Sequence, residues 1–300
     1  MNPVTKALLF SWDIRVEILL PLTILGAFQF IGWLRLRQRG AQRFATGWRL
    51  ASYMTGMVLL ALALLSPIDV LSGQLFFMHM IQHMLLMMIV PPLLWLAGPF
   101  AIGLWGLPRP LRLRIGGWFQ KESRFHQVLR LITQPGLSWM LLVAILYGWH
   151  DPWAYSIAQG NGWVHDMEHI SFFGLSMLFW WRVVGAGPHI HGRSNLFSRI
   201  IYVLAMVPPN MLLGASIALA ESPIYTYYLN IPRLYSINVM DDQRMAGLIM
   251  WIPGSMMLII AALVLIAQLF VNADRRDGLS KQTAGPEIRR PHPPRLAMTK

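Results

Sequence analysis

The sequence predicts an all-α fold, a polytopic membrane helix bundle with seven transmembrane helices. Hydrophobic residues make up 55% of the 300 residues and charged residues only 13%, whereas soluble domains carry about 25% charged residues. The mean hydropathy is +0.48. The apolar residues form stretches long enough to cross a bilayer, which leaves no length for a large soluble domain.

Seven apolar stretches define the predicted spans. A window of about 19 residues places them near residues 16–34, 49–66, 75–97, 135–150, 163–184, 199–220 and 244–271. The apolar stretch 99–107 is too short to cross the bilayer, so we expect it to lie along the membrane interface. No small-residue cleavage motif follows the first stretch, which predicts an uncleaved span rather than a signal peptide.

The basic residues predict the orientation of the chain. All but four of the 25 Lys and Arg residues lie in the connections 35–49, 98–134 and 182–199 or after residue 272. Because cytoplasmic connections carry an excess of Lys and Arg, this distribution places the N-terminus outside and the C-terminus in the cytoplasm. The net charge of +12 then indicates anionic membrane lipid, not nucleic acid, as the partner of the basic residues.

The chain is predicted to form one domain followed by a tail. Residues 1–272 hold the seven spans, and we find no internal repeat or linker among them. Residues 273–300 are basic and rich in proline, a composition typical of disordered segments. We therefore expect a disordered cytoplasmic tail.

Histidines are concentrated at one end of the spans. The third and fifth predicted spans each carry a pair spaced by four residues, and the fourth span ends in one more; they are His79, His83, His150, His165 and His169. Residues at i and i+4 share a helix face, and ionisable side chains at membrane depth are usually functional. This pattern predicts a metal or haem site just below the outer face. The alternative for each single histidine is a packed residue that bonds a backbone carbonyl.

Acids and methionines accompany these histidines. The sequence has no cysteine, so a soft metal must be bound by His, Met or carboxylate. The candidate ligands besides the histidines are Met80, Met84, Asp69, Asp166 and Glu168. The alternatives are methionines that fill gaps between helices, and carboxylates that orient an imidazole or pair with Arg233 or Arg244. Thioethers beside imidazoles favour copper, with zinc or haem less favoured.

The other histidines carry weaker signals. His189 and His191 form an x-His-x-His pattern in a predicted cytoplasmic connection, a spacing that can bind a metal ion weakly. We expect His126 and His292 to be solvated.

Four segments together resemble a known family. They are SPIDVLSGQLFFMHMIQHMLLMMIVPPLLWLAGP, YGWHDPWAY, HDMEHISFFGLSMLFWW and DDQRMAGLIMWIPG, in that order. They resemble the CtaG-like integral membrane assembly factors of caa-type cytochrome c oxidase, and the similarity covers residues 16–270. The resemblance implies a multi-span protein of the bacterial inner membrane that matures the oxidase and helps to form its copper centre. It carries the family's histidine positions onto the five histidines above and its acidic positions onto Asp69, Asp166, Glu168 and Asp242.

Three functions remain open from the sequence. The first is a copper-handling assembly factor, not an enzyme, that takes copper from a periplasmic donor and holds it for a cytochrome c oxidase subunit. The second is a haem-bearing membrane oxidoreductase with histidines as axial ligands. The third is a copper transporter, which intramembrane ionisable groups allow. A hydrolytic enzyme is not favoured, because the sequence has no nucleophile motif such as G-x-S-x-G.

Overall fold

The computed structural model describes residues 10–188, 190–192, 194–233 and 236–283, with side chains described as far as residue 275. Across this part of the chain every regular element is a helix, which confirms the predicted all-α fold. Most of the predicted tail, residues 284–300 with His292, lies outside the described residues.

The α-helices of the described residues are numbered here in chain order. They are α1 (Val16–Gln38), α2 (Gly47–Leu65), α3 (Pro67–Ser72), α4 (Phe76–Met84), α5 (Val90–Leu96), α6 (Pro99–Gly106), α7 (Arg109–Trp118), α8 (Arg124–Ile132), α9 (Pro135–Trp149), α10 (Pro152–Gly160), α11 (Gly162–Val184), α12 (Leu196–Leu204), α13 (Val207–Ala218) and α14 (Val239–Thr283). A π-helical turn, Leu85–Ile89, joins α4 to α5. A 3₁₀ turn, Thr226–Leu229, lies between α13 and α14.

Helices lie at all seven positions where the sequence predicts spans. Five segments are long and apolar enough to cross a membrane: Val16–Gln38, Gly47–Leu65, Phe76–Leu96, Leu196–Ala218 and Val239–Arg275. The pair α8 and α9, bent by 66°, is a sixth if it forms one broken span. α11 is 23 residues long but carries three charged side chains, Asp166, Glu168 and Arg182. The protein is therefore a multi-pass membrane protein, while seven spans and the N-terminus-out orientation stay predictions.

α6, which covers the short apolar stretch 99–107, packs directly on α1. A Cβ atom on Gly32 would lie 2.0 Å from the carbonyl oxygen of Ile102, and one on Gly106 would lie 2.0 Å from that of Phe28. The two backbones are therefore in contact at points where only glycine fits. This contact joins α6 to a spanning helix, and its position at the membrane interface stays a prediction.

α14 is longer than the predicted last span. It has 45 residues and packs along α13 and α4. It continues to Thr283, because the segment after residue 272 contains good helix formers such as Ala, Arg, Leu, Lys and Gln, whereas prolines follow only from residue 286. The domain end at residue 272 and the disorder of the tail stay predictions.

The histidine-bearing helices lie in the middle of the bundle. Of the five candidate spans, Phe76–Leu96 is the most buried, with 56% of its apolar window inside the protein against 11% for Val16–Gln38. α11 packs against α5, α9, α10 and the π-helical turn. The side chains on the inner faces of α4 and α11 are therefore shielded from lipid by other helices.

Candidate metal centre

The start of α4 is fixed by an acid from another helix. Asp242, in the first turn of α14, accepts hydrogen bonds from the backbone N–H groups of Phe76 at 3.1 Å and Phe77 at 2.9 Å. Arg233 donates to the same carboxylate at 2.7 Å, so this buried charge is paired. The first N–H groups of a helix have no partner within it. Asp242 therefore caps α4 and sets the position of the histidine pair in its next turn.

The five predicted histidines, hereafter the histidine group, converge. Within the two pairs, the ring centroids of His79 and His83 are 4.1 Å apart and those of His165 and His169 are 4.2 Å apart. Between helices, His79 lies 5.4 Å from His165, and His83 lies 5.5 Å from His169. The ring of His150 is 6.3 Å from that of His83. The structure thus brings together imidazoles from α4, from α11 and from the end of α9.

Glu168 of α11 lies among these imidazoles. Glu168 is 0% exposed, and one of its carboxylate oxygens is 3.7 Å from Nε2 of His79 and 3.6 Å from Nε2 of His83. These distances are too long for hydrogen bonds, and neither carboxylate oxygen has a hydrogen-bond partner among the described residues. One ligand atom from each of the three side chains lies within 4.8 Å of the others. A buried carboxylate without a partner is unfavourable, and a cation between the three groups would satisfy all of them.

Asp69, His165 and His169 form a second group beside the first. One ligand atom from each lies within 4.8 Å of the others. The side-chain amide of Gln82 donates to Oδ1 of Asp69 at 2.6 Å and holds the carboxylate in place. Burial raises the pKa of the Asp69 carboxyl, against the hydrogen bond from Gln82, which lowers it. Asp69 and His165 are only half-buried, so this group is nearer to solvent than the group around Glu168.

Several ring nitrogens of the histidine group are left without hydrogen bonds. Nδ1 of His150 donates to the carbonyl of Leu146 at 2.7 Å, which is the carbonyl bond expected of a packed membrane histidine. In the part of the chain that the structure describes, the buried ring nitrogens without a partner are Nε2 of His79, His150 and His165 and both nitrogens of His83 and His169. A neutral imidazole offers such a nitrogen as a metal ligand.

Gln159 of α10 contributes to the position of His79. Its side-chain amide nitrogen lies 3.1 Å from Nδ1 of that ring. With the amide turned by 180°, its oxygen accepts the Nδ1 proton and leaves Nε2 free as a ligand. The hydrogen bond therefore fixes the ring and is compatible with a metal ion on the side of Glu168.

The carboxylate of Asp166 forms a salt bridge with an arginine and belongs to neither ligand group. Its Oδ1 accepts a hydrogen bond from Arg15 at 2.8 Å, which ties the segment before α1 to α11. The sequence analysis gave a charge pair with Arg233 or Arg244 as the alternative to metal binding. Asp166 does form a charge pair, but with Arg15. Arg233 is engaged by Asp242, because both lie beside the start of α4.

Met80 and Met84 lie next to the histidine group. With His83 and His150 they line a cavity of about 20 Å³. Met80 is buried and Met84 is half-buried. Their role as ligands stays a prediction, but the structure places both on the side of His83 where His150 lies.

Two other histidines have partners away from this site. His126 is 9% exposed and its Nδ1 hydrogen-bonds the carbonyl of Phe119 at 3.0 Å, so the prediction that it is solvated was wrong. The reason is that α8 folds back on the end of α7 and buries this face. Nε2 of His191 lies 2.9 Å from Oγ1 of Thr133. His189 lies outside the described residues, so metal binding by the x-His-x-His pattern stays a prediction.

The structure adds residues that the sequence analysis did not single out. Gln82 carried a signal, because it stands between the two histidines of the MHMIQHM block. Tyr155 carried none: its ring lies 5.3 Å from that of His79, and its hydroxyl hydrogen-bonds Tyr228 at 2.7 Å. Burial raises the pKa of both hydroxyls well above the usual range, so both stay protonated and close this side of the site.

Comparisons with known proteins place most of the chain in one family. The family model described as cytochrome c oxidase caa3 assembly factor (Caa3_CtaG) matches residues 27–271. An uncharacterized protein of Mycobacterium leprae (strain TN) is 27% identical over 256 residues, which cover 82% of this chain and 37% of that protein. Uncharacterized proteins of Mycobacterium bovis and Mycobacterium tuberculosis are each 29% identical over 253 residues with the same coverage. This chain spans 37% of the length of these relatives. No solved structure matches it.

Proposed function

The chain belongs to the cytochrome c oxidase caa3 assembly factor family, and on this premise we propose that it binds copper and holds it for the oxidase. In this role it is a copper-handling assembly factor and not an enzyme. The copper ion is cargo, which a periplasmic donor supplies and a cytochrome c oxidase subunit collects. The protein would act in the bacterial inner membrane with the histidine group towards the periplasm.

The observation that carries this proposal is the buried carboxylate among unpartnered imidazoles. Native proteins pair nearly all of their buried polar atoms, yet Glu168, His83 and His169 have no hydrogen bond from either polar atom among the described residues. Their lone pairs converge from α4 and α11. A metal ion accepts several such lone pairs at once, one from each neutral imidazole and one or two from the carboxylate.

The donor set supports copper as the cargo. Imidazole ligands suit copper, zinc, iron and nickel, and copper binds most tightly of these divalent ions at a given site. The chain has no cysteine, so no thiolate competes with the imidazoles. Met80 and Met84 lie beside the histidine group, and thioether ligands favour copper over zinc. The family premise agrees, since the resemblance implies a part in forming the copper centre of the oxidase.

Haem binding is not favoured by the geometry. A haem needs a flat slot between two imidazoles that approach the iron from opposite sides. Here Glu168 occupies the space between α4 and α11 and lies within 3.7 Å of Nε2 of both His79 and His83. A porphyrin would have to displace this carboxylate and separate the two helices.

The test is the His83→Ala/His169→Ala double variant in the full chain. We expect it to reach the membrane fraction but to bind less copper than the wild-type chain after purification in detergent, as measured by elemental analysis. In cells, the copper content and activity of the oxidase should fall with it. His126→Ala is the matched control, because His126 is a buried histidine bonded to Phe119 away from the site. A membrane-inserted double variant with normal copper in the purified chain and in the oxidase would refute the proposal.

A further inference from the structure

A small cavity lies beside the histidine group, on the side of His83 that faces His150. Its volume is about 20 Å³, which is room for a single particle of the size of a water molecule. Five methionines line it: Met80, Met84, Met87, Met88 and Met250. They come from α4, from the π-helical turn and from α14.

The lining of the cavity is soft and uncharged. None of the described residues around it carries a carboxylate, a guanidinium or an ammonium group. His83 and His150 complete the wall, and Nε2 of His150 has no hydrogen-bond partner in the described part of the chain. A divalent ion would meet no negative charge here. A monovalent ion with an affinity for sulfur would meet thioethers and imidazoles, which are the ligands it prefers.

The backbone beside the cavity departs from a regular α-helix. The turn Leu85–Ile89 is π-helical and includes Met87 and Met88, and such wider turns occur frequently at functional sites. The indole of Trp180 donates to the carbonyl of Met87 at 2.8 Å and fixes the turn.

We infer that this methionine-lined cavity is a second ion site, which binds Cu(I) through thioether sulfurs and the imidazole of His150. The inference rests on the proposed copper-binding function and extends it. His83 borders both the cavity and Glu168, so it connects the two sites. Copper held as Cu(I) by imidazole and carboxylate near the end of the bundle would reach a softer, charge-free site deeper in the protein. No electron transfer is required of the protein, because the ion enters and leaves the cavity as Cu(I).

The absence of cysteine makes the inference directly measurable. Any sulfur bound to copper in this protein must come from methionine. X-ray absorption spectroscopy of the purified chain loaded with Cu(I) under reducing conditions should therefore show a copper–sulfur shell. Zn(II) serves as the probe for the group around Glu168, because zinc is bound by imidazole and carboxylate and needs no sulfur.

The variant that tests the cavity is Met87→Leu/Met250→Leu, and Met206→Leu is the control. Exchange of Met for Leu keeps the volume and is tolerated in packed interiors, and Met206 is a fully buried methionine outside the cavity. We expect the double variant to lose the copper–sulfur shell and to bind Cu(I) about tenfold or more weakly, with Zn(II) binding unchanged. The control should behave as the wild-type chain. An unchanged copper–sulfur shell and Cu(I) affinity in the double variant would overturn the inference.

A third variant separates the inference from the proposed function. Glu168→Gln/His169→Ala removes ligands of the histidine and carboxylate groups but leaves every residue of the cavity. If it retains Cu(I) with its sulfur shell while Zn(II) binding is lost, the cavity is a separate site. If the wild-type chain binds Cu(I) through nitrogen and oxygen ligands alone, the cavity inference fails and the proposed function stands. If the wild-type chain binds neither Cu(I) nor Cu(II), both fail.

Discussion

The two ends of the bundle differ in the partners of their charged side chains. At the arginine end, where α6 and α11 finish, Arg35 donates to the carbonyls of Trp105 and Gly106 at 3.0 Å each. Arg199 likewise donates to the carbonyl of Val183 at 3.0 Å, and to that of Val184. At the histidine end, ring nitrogens and both oxygens of Glu168 have no partner within the described residues.

The difference shows which charges serve the fold and which are free for a ligand. The last carbonyls of a helix lack partners within it. Arg35 and Arg199 supply charged donors to such carbonyls and so stabilise the fold. Glu168 and the histidine group keep their lone pairs unused, which lowers stability in the absence of an ion and leaves the site able to bind one.

The largest effect is expected at Asp242, a paired and buried carboxylate at the histidine end. Asp242→Ala removes the cap of α4 and leaves Arg233 without its partner, so the free energy of unfolding should fall by about 3–5 kcal/mol. Thermal unfolding in detergent measures this change. Asp241→Ala is the control, because Asp241 is exposed and its carboxylate is 3.7 Å from Arg244. Equal stability of the two variants would contradict the role assigned to Asp242.

A smaller effect is expected at the arginine end. Arg199→Ala deprives the carbonyls of Val183 and Val184 of a charged donor, which should lower the free energy of unfolding by about 1.5–3 kcal/mol. Copper binding should not change, because these carbonyls lie at the opposite end of α11 from His165 and His169. The exposed Arg244→Ala is the control in the same unfolding assay. Loss of copper from Arg199→Ala would show that the two ends are coupled.

The smallest change in the free energy of unfolding is expected from Glu168→Gln. In contrast to Arg199→Ala, this variant should affect copper binding and not weaken the fold. Copper affinity should fall about 10- to 100-fold, whereas the unfolding temperature of the copper-free chain should stay equal or rise, because the variant removes an unpaired buried charge. Competition with a copper chelator and thermal unfolding measure the two quantities. The exposed Glu221→Gln controls for the loss of one negative charge. A Glu168→Gln chain that is less stable and binds copper normally would mean that this carboxylate serves the fold.

The sequence predicted the parts of the site that depend on helix spacing. The i,i+4 pairs in α4 and α11 required only that each segment be helical, and both segments are. The convergence of His150 on His83 followed from its place at the end of a neighbouring span. In the same way, the apolar stretches located the helices, because length and composition decide which segments a bilayer can accept.

Contacts between helices could not be predicted in this way. Asp166 and Glu168 are two residues apart, yet the first lies on Arg15 and the second between His79 and His83. The choice depends on how α11 is rotated about its axis, which spacing does not define. The cap on α4 joins residues that are 166 positions apart. The burial of His126 likewise depends on the fold of α8 against α7.

The cap of α4 by Asp242 also determines how the protein responds to its cargo. Because the first turn of α4 is anchored to α14 before any ion arrives, His79 and His83 are preorganised. Binding then requires little loss of conformational entropy, and a rigid site of this kind gains affinity by avoiding that loss. The copper-free and copper-loaded proteins should therefore superimpose closely, and the exchange of copper should be governed by access to the site and not by a rearrangement of the bundle.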